Sequence, residues 1–147
     1  MIKSVRLQRP DGESLYLSRP AGGSARSFTP APPNQDDKLI SRVAVAGPAL
    51  AASRCFPVDV KPASDLTTDW VARHITVTHD ALEIDVYAYA EADGFYVTLR
   101  AIEAGNGANR AESINTSAEG WAFKLAEYDW SDFAPEIGRL VRRASEN

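Results

Sequence analysis

The sequence predicts an α+β fold, an antiparallel β-meander/hairpin sheet packed on one face by two to three helices, on three observations. Between His74 and Ile102 apolar residues recur with period two: Ile75 and Val77, then Leu82, Ile84 and Val86, then Phe95, Val97 and Leu99. That alternation is the mark of half-buried strands. The first eighteen residues read as a hairpin, and the stretches 39–50 and 130–140 carry apolar residues at helical spacing. At 147 residues the chain has the size of one domain. The expected plan is hairpin and helix over 1–56, meander over 57–102, and helix, strand and C-terminal helix over 103–147.

In chain order, Ile2 to Gln8 and Ser14 to Ser18 flank Arg9-Pro10-Asp11-Gly12-Glu13, where Pro presets φ and Gly accepts a positive one, so a hairpin turns here. Val5 and Leu7 then face the same side as Leu15 and Leu17. Arg19 to Asn34 is rich in Pro, Gly and Ser and reads as a mobile loop with a short strand near Phe28. Asn34, Asp36 and Asp37 supply caps and acids for a helix whose stripe is Leu39, Val43, Ala46 and Leu50, with a kink or early end at Gly47-Pro48. Phe56 to Val60 is expected as a short strand.

The turns His79-Asp80-Ala81-Leu82 and Ala90 to Phe95 are short enough to force antiparallel neighbours. The register predicted from the second sets Ala90 against Phe95, Tyr89 against Tyr96, Tyr87 against Thr98 and Asp85 against Arg100. A slip by one residue would exchange the two faces. A loop at Gly105 to Asn109 precedes a short helix from Arg110 to Thr116 that Gly120 terminates, and Trp121, Phe123 and Leu125 form a further strand. Asp129 or Ser131 is expected to cap a last helix with the stripe Trp130, Phe133, Ile137 and Leu140, Pro135 lying near its first turn.

Composition narrows the function classes. The chain is 44% hydrophobic and 24% charged with a formal charge of -4, a globular composition. Its sixteen basic residues are dispersed except for Arg139, Arg142 and Arg143, which the expected last helix places at the negative end of its dipole, so nothing here tracks a nucleic-acid backbone. The N-terminal residues have no apolar leader core, and no stretch approaches the roughly 18 apolar residues of a membrane span. Direct membrane insertion is not expected.

No catalytic spacing emerges. His74 and His79 lie five positions apart and point to opposite faces, so they do not share a metal, and the single Cys55, between Arg54 and Phe56, reads as a small buried thiol in an apolar neighbourhood. Gly105-x-Gly107-x-x-Arg110 lacks the third glycine and the βαβ setting of a dinucleotide fingerprint. Asn115-Thr116-Ser117 matches a glycosylation triplet and reads as a turn. No cofactor and no enzymatic activity are expected.

One constellation remains. The predicted register collects His74, Thr76, Asp85, Tyr87, Tyr89, Tyr96, Thr98 and Arg100 on one outer face. Of these, His74, Asp85, Tyr87, Tyr89, Tyr96 and Arg100 are the candidate binding residues: tyrosines to stack on a sugar or peptide, Asp85 with Arg100 to orient a polar group. The alternative is a cross-strand Tyr pair and a surface ion pair that serve only the sheet.

Several segments together resemble a known family. Val5-Arg6-Leu7-Gln8-Arg9-Pro10-Asp11-Gly12, the stretch Arg54 to Leu66, and above all Ala111-Glu112-Ser113-Ile114-Asn115 leading to Gly120-Trp121-Ala122-Phe123-Lys124-Leu125 and Trp130 to Leu140 are similar to the bacterial domain of unknown function 4340 (DUF4340). The resemblance spans nearly the whole chain. It implies a non-enzymatic accessory, protein-interaction domain associated with ABC-type membrane transport or gliding motility, and it carries over no catalytic residue. Members typically have an N-terminal membrane anchor, so the chain is either a soluble piece of an anchored parent, on the extracytoplasmic side of the inner membrane, or a shorter soluble relative in the cytoplasm. Docking would use an edge of the first hairpin or the tyrosine face; a glycan- or peptide-binding module is the alternative.

Overall fold

In the computed structural model, which describes residues 1–103 and 109–144, an eight-stranded antiparallel sheet carries its three α-helices on one face. In chain order come β1 (Ile2–Gln8), β2 (Ser14–Ser18), β3 (Thr29–Pro30), β4 (Lys38–Leu39), α1 (Arg42–Arg54), β5 (Asp59–Pro62), β6 (Ala72–Thr78), β7 (Leu82–Glu91), β8 (Gly94–Glu103), α2 (Asn109–Ala118), β9 (Trp121–Leu125), α3 (Glu127–Phe133) and β10 (Val141–Arg142). The large sheet has the order β3-β2-β1-β6-β7-β8-β9-β5, and β10 pairs with β4 apart from it. The predicted loop at Gly105 and its partial dinucleotide pattern lie largely outside the described residues.

The hairpin and the meander form as their alternation dictates. Val5 stands opposite Leu17 and Leu7 opposite Leu15, all buried. In the β7–β8 hairpin Ala90 pairs with Phe95, Tyr89 with Tyr96, Tyr87 with Thr98 and Asp85 with Arg100, the predicted register. The two-residue turn at Ala92-Asp93 fixes it, with Gly94 at φ 141°, a conformation open to glycine.

One strand is turned over relative to expectation. In β6 the residues facing the helices are Ala72, His74 and Thr76, opposite Ala88, Val86 and Ile84, whereas Ile75 and Val77 lie on the other face opposite Asp85 and Glu83. β-branched apolar residues pack acceptably on an open sheet face, so their period two marks a strand without saying which side is inward. His74 and Thr76 therefore belong to the core, 1% exposed each, and leave the proposed outer constellation.

His74 has an unforeseen partner in α1. Its Nε2 donates to the Pro48 carbonyl at 2.7 Å, Thr76 Oγ1 lies 3.3 Å from Nδ1, and the Phe133 ring meets the imidazole edge-on at 5.0 Å. Burial pushes its pKa down to about 4, against the raising influence of the Pro48 bond, so the ring is neutral. α1 differs from expectation too: Ser41 caps it through the Ala44 N–H, and it runs through Pro48 to Arg54. Its buried side is Val45, Pro48, Ala49, Leu50 and Ala51; Val43 is exposed, and Leu39 belongs to β4. The strand expected at 56–60 sits two to three residues later, as β5.

The C-terminal helix stops early. α3 ends at Phe133 ahead of Pro135, which lacks the N–H that a continuing helix needs; a short 3-10 turn (Ile137–Arg139) and β10 follow. Ala126 occupies the N-cap without a side-chain cap, in place of Asp129 or Ser131. Ile137 and Leu140 are buried nonetheless, against Val5, Leu15 and Leu17. The terminal arginines thus do not share one α-helix end: Arg139 closes the 3-10 turn and pairs with Glu136 at 2.9 Å, Arg142 belongs to β10, and Arg143 donates to Asp37 at 2.8 Å and to the Ser14 carbonyl at 2.6 Å.

Two other polar side chains tie distant segments. Arg9, in the hairpin turn, donates to the carbonyls of Val71 (3.1 Å), Ala134 (3.2 Å) and Pro135 (2.6 Å). Arg19 donates to the Ile2 carbonyl at 2.7 Å and lies over the Phe28 ring, which is fully buried, so the Pro/Gly/Ser-rich stretch is anchored to the core at its middle.

Candidate functional site

With the helices on one side, the other face of the sheet is the candidate site. Register places Tyr16, Arg6, Ile75, Asp85 and Arg100 in one row across five strands, and Gln8, Arg73, Tyr87 and Thr98 in the next. Tyr89, Tyr96 and Lys124 form a third row. The face is polar and aromatic and no described helix covers it.

The pairing within it departs from expectation at Asp85. Although Arg100 stands opposite on β8, the Asp85 carboxylate is held from β6: Arg73 Nε donates to Oδ1 at 2.9 Å and its NH2 group to Oδ2 at 2.6 Å, a two-pronged grip. The same guanidinium lies 5.1 Å from the centre of the Tyr87 ring, and Trp70 meets that ring edge-on at 5.5 Å. Arg100 is left exposed, with no ion pair among the described residues.

The tyrosines divide. Tyr87 is flanked by Arg73 and Trp70, and Tyr89 is half-buried. Tyr96, on the outer face, is only 4% exposed, because the Lys61 ammonium lies 4.2 Å from its ring centre and its hydroxyl donates to Asp93 at 2.9 Å. Lys61 is itself held by Glu91 and Asp93, and Glu91 accepts from the N–H groups of Thr67 and Thr68 and from the Thr68 hydroxyl. Tyr96 is thus part of a clasp over the β7–β8 turn. Of the six candidate residues, Asp85, Tyr87, Tyr89 and Arg100 share the open surface, Tyr96 lies beneath it and His74 is on the opposite side.

A cleft of about 480 Å³ opens beside Arg100, lined by Ala63, Thr98, Leu99, Asn115, Glu119 and Trp121 among others. It exists because the β8–β9 ladder ends at Val97 opposite Phe123, while the next part of β8 is served by a side chain. Asn115 of α2 accepts from the Ala101 N–H at 2.7 Å and donates to the Ala101 carbonyl at 2.8 Å, imitating one rung of a strand. That use occupies the carboxamide of the apparent glycosylation triplet. Sequence reading missed Arg73, Trp70 and the cleft; the odd-numbered alternation of Arg73 with Ile75 and Val77 was the available signal for the first.

Both sheet edges are blunted, the edge of the first hairpin included. β2 is covered by β3, and the Tyr16 N–H is taken by Asn34 Oδ1 at 2.9 Å. On β5 the Val60 N–H is met by Asp59 Oδ1 at 2.8 Å, and Pro62 has no N–H.

Other chemistry is sparse. Cys55 is half-buried, and burial, then the charges of Asp129 and Asp132, push its thiol up to about 11, the reverse of an activated nucleophile. Among the described residues no three His, Cys, Asp or Glu side chains are placed to hold a metal ion, and no helix is long and apolar enough to cross a membrane. Compared with protein-family models, curated proteins and solved structures, the chain matches none.

Proposed function

We propose that the chain is a non-enzymatic interaction domain that docks a protein partner by flat contact on its outer sheet face. The observation that supports this is the one-sided arrangement: α1, α2 and α3 pack on the same face, leaving an open surface with Arg6, Arg73, Trp70, Tyr87, Tyr89 and Arg100. Arg, Tyr and Trp are the residue types that dominate protein contact surfaces. Blunted edges favour contact through the face over strand addition. The resemblance to DUF4340 supplies a context for that partner, an ABC-type transport or gliding-motility assembly of the membrane. A sugar is the poorer occupant, since the Tyr87 and Tyr96 rings already have neighbours; a peptide fits the same face.

The test compares wild type with the Arg6→Glu/Arg100→Glu variant, both exposed positions, for retention of proteins encoded beside this chain. A partner held by wild type and released by the variant supports the reading. Equal retention by both, in variants that fold, overturns it.

A further inference from the structure

We propose that the cleft between β8 and β9 receives an extended, carboxylate-bearing peptide segment of the partner, its main chain pairing with Leu99 and its carboxylate with Arg100. This rests on the outer face being the partner surface. The two-residue turn at Ala92-Asp93 makes Glu91 and Gly94 a hydrogen-bonded pair, so the even-numbered residues of β8 bond to β7 and the odd-numbered ones aim their N–H and C=O away from it. Phe95 and Val97 meet β9, and Ala101 meets the Asn115 carboxamide. Between them Leu99 lies beyond the ladder and lines the cleft.

One donor and one acceptor on a strand are complementary to one residue of an extended peptide, and to few other common ligands. The charge requirement follows from Asp85. Because Arg73 takes that carboxylate, Arg100 stands at the mouth of the cleft with its charge unmatched among the described residues, and a ligand carboxylate supplies the match with a charge-assisted bond. Trp121, 44% exposed, gives the cleft an apolar wall for the adjoining side chain, and Glu119 provides an acceptor at the opposite rim.

The experiment is a 15N NMR titration of the full chain with the capped peptide acetyl-Ala-Val-Glu-Val-Ala-amide, its Gln-for-Glu form, and acetyl-Ala-Val-Ala-Val-Ala with a free C-terminal carboxylate. The expected result is movement of the Leu99 amide and Trp121 indole signals, with binding about tenfold weaker for the neutral peptide than for a carboxylate form. Whichever carboxylate form binds more tightly identifies a side-chain or terminal source. Arg100→Gln should lose the same factor and Arg42→Gln, exposed on α1 away from the outer face, should not. Shifts confined to Arg73, Tyr87 and Tyr89 overturn the cleft while leaving the outer-face reading; no shift with any peptide, or equal loss in Arg42→Gln, overturns the cleft, and partner retention then decides the face separately.

Discussion

Asp85 is gripped by Arg73 on one neighbouring strand and ignored by Arg100, which faces it across the other, with Arg73 donating to both carboxylate oxygens at 2.9 and 2.6 Å. The two arginines therefore have different tasks. Arg73→Ala should lower stability by about 1 kcal/mol, the upper range for a partly exposed ion pair of good geometry, while Arg100→Ala should leave it unchanged within about 0.5 kcal/mol. Urea denaturation of the two variants checks this.

His74 makes stability depend on acidity. Its folded pKa near 4 lies below the ordinary value of about 6.5, so protons bind the unfolded chain preferentially between those limits. Its contribution is complete above about pH 6.5, declines as pH falls toward about 4, and levels off below. His74→Gln should be less stable than wild type at pH 7 and should show a shallower loss between about pH 6.5 and 5. Denaturation at a series of pH values measures the difference.

Cys55 should resist alkylation. With the thiol pushed up to about 11 by burial and then by Asp129 and Asp132, roughly one molecule in a thousand carries the thiolate at pH 8, against about one in four for a free cysteine. Iodoacetamide should label it at least about a hundredfold more slowly than free cysteine. Asp132→Asn, by removing one nearby charge, should raise that rate, followed by mass spectrometry.

Asn115→Ala should cost about 1–3 kcal/mol, because it strands both the N–H and the C=O of Ala101. Asn115→Asp should cost nearly as much, since a carboxylate accepts from the N–H and has nothing to give the carbonyl. Thermal unfolding of the two variants tests the claim.

Local patterns carried the sheet and not its contents. The β7–β8 register was readable because a two-residue turn and two alternating strands leave one pairing that buries Leu82, Val86 and Val97 together. The inward side of β6 was not, because Ile75 and Val77 look like core residues and His74 looks like surface until the Pro48 carbonyl, 26 positions earlier, is brought against it. Arg73 shared that mistaken assignment, so its capture of Asp85 went unseen. The last helix failed for a local reason: Ile137 and Leu140 do reach the core, by a turn after Pro135 rather than by continued helix. Clefts made by the premature end of a ladder, like that at Leu99, leave no periodic trace.

The three carbonyls gathered by Arg9 come from sites 62, 125 and 126 positions away along the chain. During synthesis two of these acceptors, at Ala134 and Pro135, emerge only after a further 125 residues have followed the guanidinium. The first hairpin can form early, but its turn stays unlatched until that later segment has been made, so Arg9 reports on the docking of two segments far apart in translation.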